Sequence, residues 1–591
     1  MALRGAHDPI IMLNFAQLNR TCAKIKKEMN PSTYAYKDFI KRIEDSLKEH
    51  WDQDAFTDYQ GATLQYHDVA RKIEKLHILF EYADIHPGDK IALCGRNSSG
   101  WASALLAILT YGAVAVPILH EFKAKQVHDI VNHSGARLLF VGDQAWPELD
   151  AEQMPDLMGI VSLVDYSLLL SRSEQLVQAR ESLNKIFGER FPKYFRQEHV
   201  NYRPASDPDA LAILNYTSGT TSNSKGVLIP YRALWSNMDF ADSVLGDKLQ
   251  RGSKVISMLP MAHMYGMSFE FFYEFLIGIH IYFLTRVPSP RIIFQAFAEV
   301  KPDLIVAVPL IIEKIIRKSV LPKLQTPSMK VLLKLPLINQ RIRDKIREQL
   351  VAAFGGKFYE IIIGGAAFNS EIENFLYKMN FNYTVGYGAT ECAPIITYAD
   401  WHERRLGSCG RVVPHMEIKI DSKDPQRIVG EILVRGANVM LGYYKNPEAT
   451  EAAIDKDGWF HTGDLGVIDA DGFLYIRGRS KNMLLGSSGQ NIYPEEIEEK
   501  LNILPYVAEC IVIQEGDRLF GLVYPDEEEV KRDNLSDEQL QEKMEQNRKE
   551  LNTMVNSYEQ LSGIRIHSEE FEKTPKRSIK RYLYTSNFEK A

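Results

Sequence analysis

"LAILNYTSGTTSNSKGV", residues 211–227, passes from an apolar run into a loop of glycine, serine and threonine closed by Lys225. A strand that delivers such a loop is a phosphate-cradle pattern. Backbone N–H groups and hydroxyls face phosphate oxygens, and the lysine adds charge. The stretch is not a Walker A loop, which requires G-x-x-x-x-G-K-[ST]; here Ser224 precedes Lys225 and Gly226 follows it. Taken alone, it reads equally as a surface turn rich in small residues, so its neighbours decide.

Outward from this loop, residues 60–480 alternate short β-rich runs with helical patterns. The runs include "KIALCG" (90–95), "ARLLFVG" (136–142), "KVISMLP" (254–260), "DLIVAVP" (303–309) and "YEIIIGG" (359–365). Continuous apolar strands bounded by Gly or Pro are buried on both faces, which predicts an α/β architecture with covering helices. Residues 146–206 are polar and mixed and read as a helical excursion. Residues 407–480 carry Gly-Asp punctuation and predict antiparallel hairpins. A smaller unit follows, with a helix start at "YPEEIEEKLN", strands at "ECIVIQ" and "LFGLVYP", and a solvated helical stretch over 526–550.

The chain has 591 residues and is multidomain at about 100–200 residues per domain. Its net charge of −7 argues against nonspecific nucleic-acid binding. The five cysteines are scattered without a CxxC spacing, which excludes a disulfide framework and fits a reducing cytoplasm. The most apolar stretch, "WASALLAILTYGAVAVPIL" (101–119), has the length of a short membrane span. Gly112 and Pro117 divide it, so it reads as a buried helix followed by a buried strand.

Further stretches follow the phosphate loop in a fixed order. They are "LPMAHMYG" (259–266), "GGAA" (364–367), "VGYGATE" (385–391), "GWFHTGDLG" (458–466) and "RGRSKNMLLGSSGQNIYPEEIE" (477–498). Together with "YTSGTTSNSKG" they resemble the motif series of the adenylate-forming superfamily, which holds acyl-CoA synthetases, luciferases and adenylation domains. The resemblance covers roughly residues 50–585 and is greatest toward long-chain fatty acyl-CoA synthetases. It implies a large N-terminal domain (1–480) of several subdomains, with mixed sheets covered by helices. A small mobile α+β C-terminal domain (481–591) follows, hinged near Lys481.

The resemblance also implies a two-step reaction. A carboxylate attacks the α-phosphate of ATP to give acyl-AMP and pyrophosphate, and the CoA thiol then displaces AMP. ATP, Mg²⁺ and CoA are implied, with a fatty acid as the other substrate. By resemblance, Thr217, Ser218, Gly219, Thr220, Thr221 and Lys225 hold the β- and γ-phosphates. Thr390 contacts the α-phosphate, and Glu391, with Thr217, ligates Mg²⁺, an ion usually held by few carboxylates plus phosphates. Gly365, Ala366, Tyr387 and Gly388 adjoin adenine; Asp464 accepts from the ribose hydroxyls, and Arg479 reaches the same side. His263 stands beside the carboxylate and α-phosphate; by its apolar surroundings alone it reads as a core histidine. Met261, Met264, Met267, Phe269, Phe271 and Phe272 either line an acyl tunnel, kept open by Gly364, Gly365 and Ala366, or pack as ordinary core. The segment near Gly489 faces pantetheine after the small domain rotates.

Two departures stand out. The family loop reads T-S-G-T-T-G-x-P-K-G, whereas this chain has Ser222 for the second glycine and Ser224 for the proline. Near the C-terminus the family has P-K-T-x-x-G-K-I-x-R. Here "EKTPKRSIKRYLY" puts Ser578 at the catalytic lysine, flanked by Lys576 and Lys580. Alternate residues of an extended segment share a face, so either lysine is a candidate substitute. Two alternatives stand beside the CoA ligase: an enzyme loading a carrier protein, and a nucleotide- or acyl-binding protein without turnover. Cytoplasm is the expected location. A membrane-dissolved substrate would bring transient bilayer contact, although no amphipathic anchor is evident.

Overall fold

The computed structural model describes residues 36–205, 207–217, 225–285, 290–319, 336–485, 490–573 and 579–585. Its centre is a seven-stranded sheet. In chain order the strands are β1 (Lys90–Cys94), β2 (Val114–Ile118), β3 (Leu138–Val141), β4 (Gly159–Ser162), β5 (Leu168–Ser171), β6 (Leu211–Thr217) and β7 (Lys225–Pro230). Their spatial order is β5-β4-β3-β1-β2-β6-β7. The inner pairs are parallel, and the outer pairs β4–β5 and β6–β7 are antiparallel. The inner strands are buried along most of their length, as their unbroken apolar runs require.

The apolar stretch 101–119 divides as its glycine predicts. Ser98 caps the helix Ser99–Tyr111 by accepting from the Trp101 N–H, and Gly112 ends it at φ 83°. No described helix is long and apolar enough to cross a membrane. The expected helical excursion at 146–206 is only partly helical. Helices Glu174–Glu181 and Leu183–Arg190 form, but β4 and β5 precede them and extend the sheet. Each of those strands has only four residues, too short for a periodic signal to emerge.

Around this sheet lie a mixed four-stranded sheet containing Lys254–Ser257 and a parallel three-stranded sheet, Ile305–Ala307, Ile361–Ile363 and Tyr383–Val385. The antiparallel hairpins expected over 407–480 form a four-stranded sheet that ends with Phe460–Ile468 and Leu474–Arg479. Its buried residues join the main core as far as Leu474. A separate core then begins, a cluster that includes Ile492, Leu501, Val512 and Leu551, with Leu484 packed against it. This last core belongs to helices Pro494–Leu501 and Asp537–Met554 on a three-stranded sheet.

Candidate active site

A cleft of about 3520 Å³ opens where the central sheet, the surrounding sheets and the C-terminal unit meet. The ends of β1, β2 and β3 border it through Gly95–Asn97, His120 and Gly142. Crevices beyond the carboxyl ends of parallel strands are the common ligand sites of such sheets.

Strands β6 and β7 flank the expected phosphate loop. Thr217 and Lys225 face each other in register, and the Thr217 hydroxyl donates to the Lys225 carbonyl at 3.5 Å. Both residues line the cleft. Ser218, Gly219, Thr220, Thr221, Ser222 and Ser224 lie outside the described residues. The Lys225 ammonium stands 4.7 Å from the centre of the Tyr443 ring.

Thr390 and Glu391 occupy a short 3-10 turn, Thr390–Cys392, beyond the strand Tyr387–Gly388. A Cβ at Gly388 would sit 2.2 Å from the Pro394 carbonyl oxygen, so only glycine lets the two strands approach. Thr390 is buried and Glu391 half-buried, and both line the cleft. Glu391 Oε1 accepts from the Tyr443 hydroxyl at 3.0 Å. Among the described residues no cluster of three His, Cys, Asp or Glu could hold a metal by itself. A single carboxylate, Glu391, lining the same cleft as the Thr217 hydroxyl nevertheless fits Mg²⁺, which usually takes one or two carboxylates and completes its shell with phosphate and water.

Asp464 is held from two sides. The Tyr387 hydroxyl donates to Oδ2 at 2.6 Å, and Arg479 Nε lies 3.0 Å from Oδ1. The antiparallel register places Asp464 opposite Arg479. Burial pushes the Asp464 carboxyl up, while Arg479 and the Tyr387 hydrogen bond pull it down. Lys481 follows on an exposed single turn at the cleft.

His263, half-buried, lines the cleft at the end of a loop stitched by other side chains. Asn97 donates to the Leu259 carbonyl at 2.6 Å and accepts from the Met261 N–H at 2.8 Å. Glu270 accepts from the N–H groups of Met258 and Leu259, at 2.9 and 2.8 Å. Burial pushes the Glu270 carboxyl well above its ordinary range. A Cβ at Gly364 would lie 3.3 Å from the Tyr265 ring, and Gly365 adopts φ 86° beside the exposed Ala366.

Of the two readings open for the apolar cluster, most of its members follow the core one. Met264 lines the cleft, but Met261, Met267, Phe269, Phe271 and Phe272 are buried in the main core. Phe272 packs 5.1 Å from Phe39 and Phe271 5.9 Å from Phe56, and none of the four is among the described lining residues of the cleft. The apolar wall is made instead by Met258, Leu284, Ile293, Val308, Ile311 and Ile315.

In the C-terminal unit, Lys573 and Ile579 form an antiparallel bridge and line the cleft. Lys576 and Ser578, between them, lie outside the described residues, as does Gly489. Lys580 is not among the described lining residues; its ammonium pairs with Glu572 at 3.1 Å. Sequence reasoning missed Asn97, Glu270, Tyr443 and Lys573. An asparagine just past an apolar parallel strand, and a glutamate set among aromatics in "MSFEFFYEF", were the available signals for the first two.

The AMP-binding enzyme family model matches residues 43–444, and the AMP-binding enzyme C-terminal domain matches 481–591. The chain therefore belongs to the AMP-binding enzyme family, the adenylate-forming class its motifs resemble. A long-chain-fatty-acid–CoA ligase of Escherichia coli O157:H7 is 28% identical over 528 residues, 84% of this chain and 86% of the relative. The long-chain-fatty-acid–CoA ligase FadD15 of Mycobacterium bovis is 27% identical over 74% of this chain and 73% of its own. Among solved structures, the anthranilate CoA ligase AuaEII in complex with anthranoyl-AMP shares the fold. Its TM-score is 0.72 at 19% identity, over 93% of this chain and 97% of that one.

Proposed function

We propose that this chain joins a fatty acid to CoA through an acyl-adenylate. The observation that carries the reading is the continuity of one cleft. The Tyr387–Asp464–Arg479 group and Thr390 stand in it with the apolar wall of Leu284, Ile293, Val308 and Ile315, and His263 lines the same space. Burying an alkyl chain along such a wall is worth about 0.8 kcal/mol per CH₂. The names of the relatives support a long-chain acid, and their spans support the whole two-domain enzyme.

In this reading Asp464 takes the ribose hydroxyls, and Lys225 with the loop 217–221 takes the β- and γ-phosphates. Thr390 and His263 address the α-phosphate and the carboxylate. Donors already fixed around developing charge need no reorganisation during reaction. Glu391 and Thr217 would hold Mg²⁺, which when bound neutralises phosphate charge. The carboxylate oxygen bonds to the α-phosphorus as pyrophosphate leaves. The thiol sulfur then bonds to the acyl carbon as AMP leaves. Of the two candidate lysines, Lys576 serves adenylation, since Lys580 is engaged by Glu572. The C-terminal unit (481–591) turns about Lys481 between the steps.

ATP–pyrophosphate exchange across carboxylic acids of increasing length, followed by a thioester assay with CoA, tests this. Exchange that peaks with a long-chain acid and gives acyl-CoA is the expected result. Exchange without a CoA product would favour a carrier-protein acceptor, and ATP binding without exchange a protein that has lost turnover.

A further inference from the structure

The segment Met440–Tyr444 touches both halves of the phosphate site. Met440 donates its N–H to the Glu391 carbonyl at 2.8 Å. The chain then runs beside β7. Leu441 donates to the Leu228 carbonyl at 2.9 Å, Leu228 to the Gly442 carbonyl at 3.0 Å, and Tyr444 to the Gly226 carbonyl at 2.7 Å. Val227 and Tyr443 form an antiparallel bridge. Gly442 turns at φ 142°, and a Cβ there would meet the Thr450 methyl at 2.7 Å. Thr450 Oγ1 in turn accepts from the Tyr443 N–H at 2.9 Å. The Tyr443 backbone is thus fixed from both sides.

From this fixed backbone the Tyr443 side chain reaches two charges at once. Its hydroxyl donates to Glu391 Oε1 at 3.0 Å, and its ring lies 4.7 Å from the Lys225 ammonium. The ring is buried, and a phenol hydroxyl beside a carboxylate oxygen is the donor of the pair. A hydrogen bond to one carboxylate oxygen fixes which way the other points. A cation over an aromatic face is drawn to the ring's negative quadrupole.

We infer that Tyr443 is a positioning residue that sets the phosphate lysine Lys225 and the carboxylate Glu391 against each other before ATP arrives. The hydroxyl orients Glu391 toward the divalent cation of the nucleotide, and the ring places Lys225 toward its terminal phosphates. This rests on the ligase reading above. It deepens that reading, because Tyr443 falls in none of the motif stretches that carry the resemblance.

The two functions separate chemically. Tyr443→Phe keeps the ring and removes the hydroxyl; Tyr443→Leu removes both. Equilibrium ATP binding to the full chain, measured by calorimetry with EDTA and across a MgCl₂ series, reads each without turnover. Thermal melts of the variants check folding. For Tyr443→Phe the expected result is Mg²⁺-free ATP affinity within about twofold of wild type, since the cation–π contact remains. Its half-saturating Mg²⁺ concentration rises about tenfold, as when an outer partner of a metal ligand is lost. Tyr443→Leu keeps the Mg²⁺ defect and also loses about two- to fivefold in Mg²⁺-free affinity. A folded Tyr443→Phe chain with wild-type Mg²⁺ dependence overturns the inference while leaving the ligase reading intact. A wild-type chain that binds no ATP overturns the ligase reading itself, and the inference with it.

Discussion

Tyr387 donates its hydroxyl hydrogen to Asp464 at 2.6 Å, from a position where the sequence resemblance places an aromatic against adenine. Its polar end is committed to Asp464, the carboxylate proposed to take the ribose hydroxyls, and that gives a first prediction. Hydrogen bonds to charged groups contribute about 1.5–3 kcal/mol, so Tyr387→Phe should weaken ATP binding roughly tenfold or more. The Tyr387 hydrogen bond lowers the Asp464 pKa, which burial raises. Its removal favours the protonated carboxyl. As pH falls, the variant should lose ATP binding at a higher pH than wild type, read by titration calorimetry across pH.

Gly388 tests the geometry beneath Thr390 and Glu391. With a Cβ 2.2 Å from the Pro394 carbonyl oxygen, Gly388→Ala must push the two strands apart. Overpacking of this kind costs about 1–3 kcal/mol. The expected outcome is a lower melting temperature together with weaker Mg²⁺-dependent ATP binding. A variant with wild-type stability would contradict the strand approach described above.

The C-terminal lysines should behave differently. Lys580 is half-buried against Glu572, so Lys580→Ala should leave ATP–pyrophosphate exchange within about threefold of wild type, the value of a weak ion pair. Lys576→Ala should lower exchange by about a hundredfold, the cost of losing a donor at developing charge. Equal losses in both variants would sink the assignment to Lys576.

Glu274 predicts how stability varies with pH. It is fully buried, with neither carboxyl oxygen hydrogen-bonded to another described residue, and burial pushes its pKa up to about 8. The folded chain therefore holds this proton at a pH where the unfolded chain has released it. The associated stability is present below the unfolded pKa, near 4.5, and is lost as pH rises toward 8. Each pH unit in that window costs on the order of 1.4 kcal/mol. Glu274→Gln removes the titration, so its stability relative to wild type should increase from pH 5 to pH 8 in denaturant melts.

Much of the fold was legible because its strands are buried on both faces and so leave unbroken apolar runs. Strand β6 was legible as an apolar run, and the loop after it as a candidate phosphate site because glycine, hydroxyls and a lysine crowd together there. Other features carried no such local signature. The four-residue strands β4 and β5 are shorter than the patterns that reveal strands. The apolar residues from Met261 to Phe272 satisfied both core and tunnel, and only packing against Phe39 and Phe56 decided between them. Tyr443 meets Glu391 and Lys225 from a distant part of the chain, so composition alone could not connect them.

The pairing of residues 441–444 with β7 has a consequence for colloidal behaviour. β7 is the last strand of the central sheet, and its outer backbone groups would otherwise stand open as a template for another chain. Hydrogen bonds from Leu441 and Tyr444, and one to Gly442, occupy that rim. The stretch that fixes Tyr443 therefore also guards against sheet-to-sheet recruitment. Replacing Gly442 with a bulkier residue should appear first as concentration-dependent aggregation in light scattering.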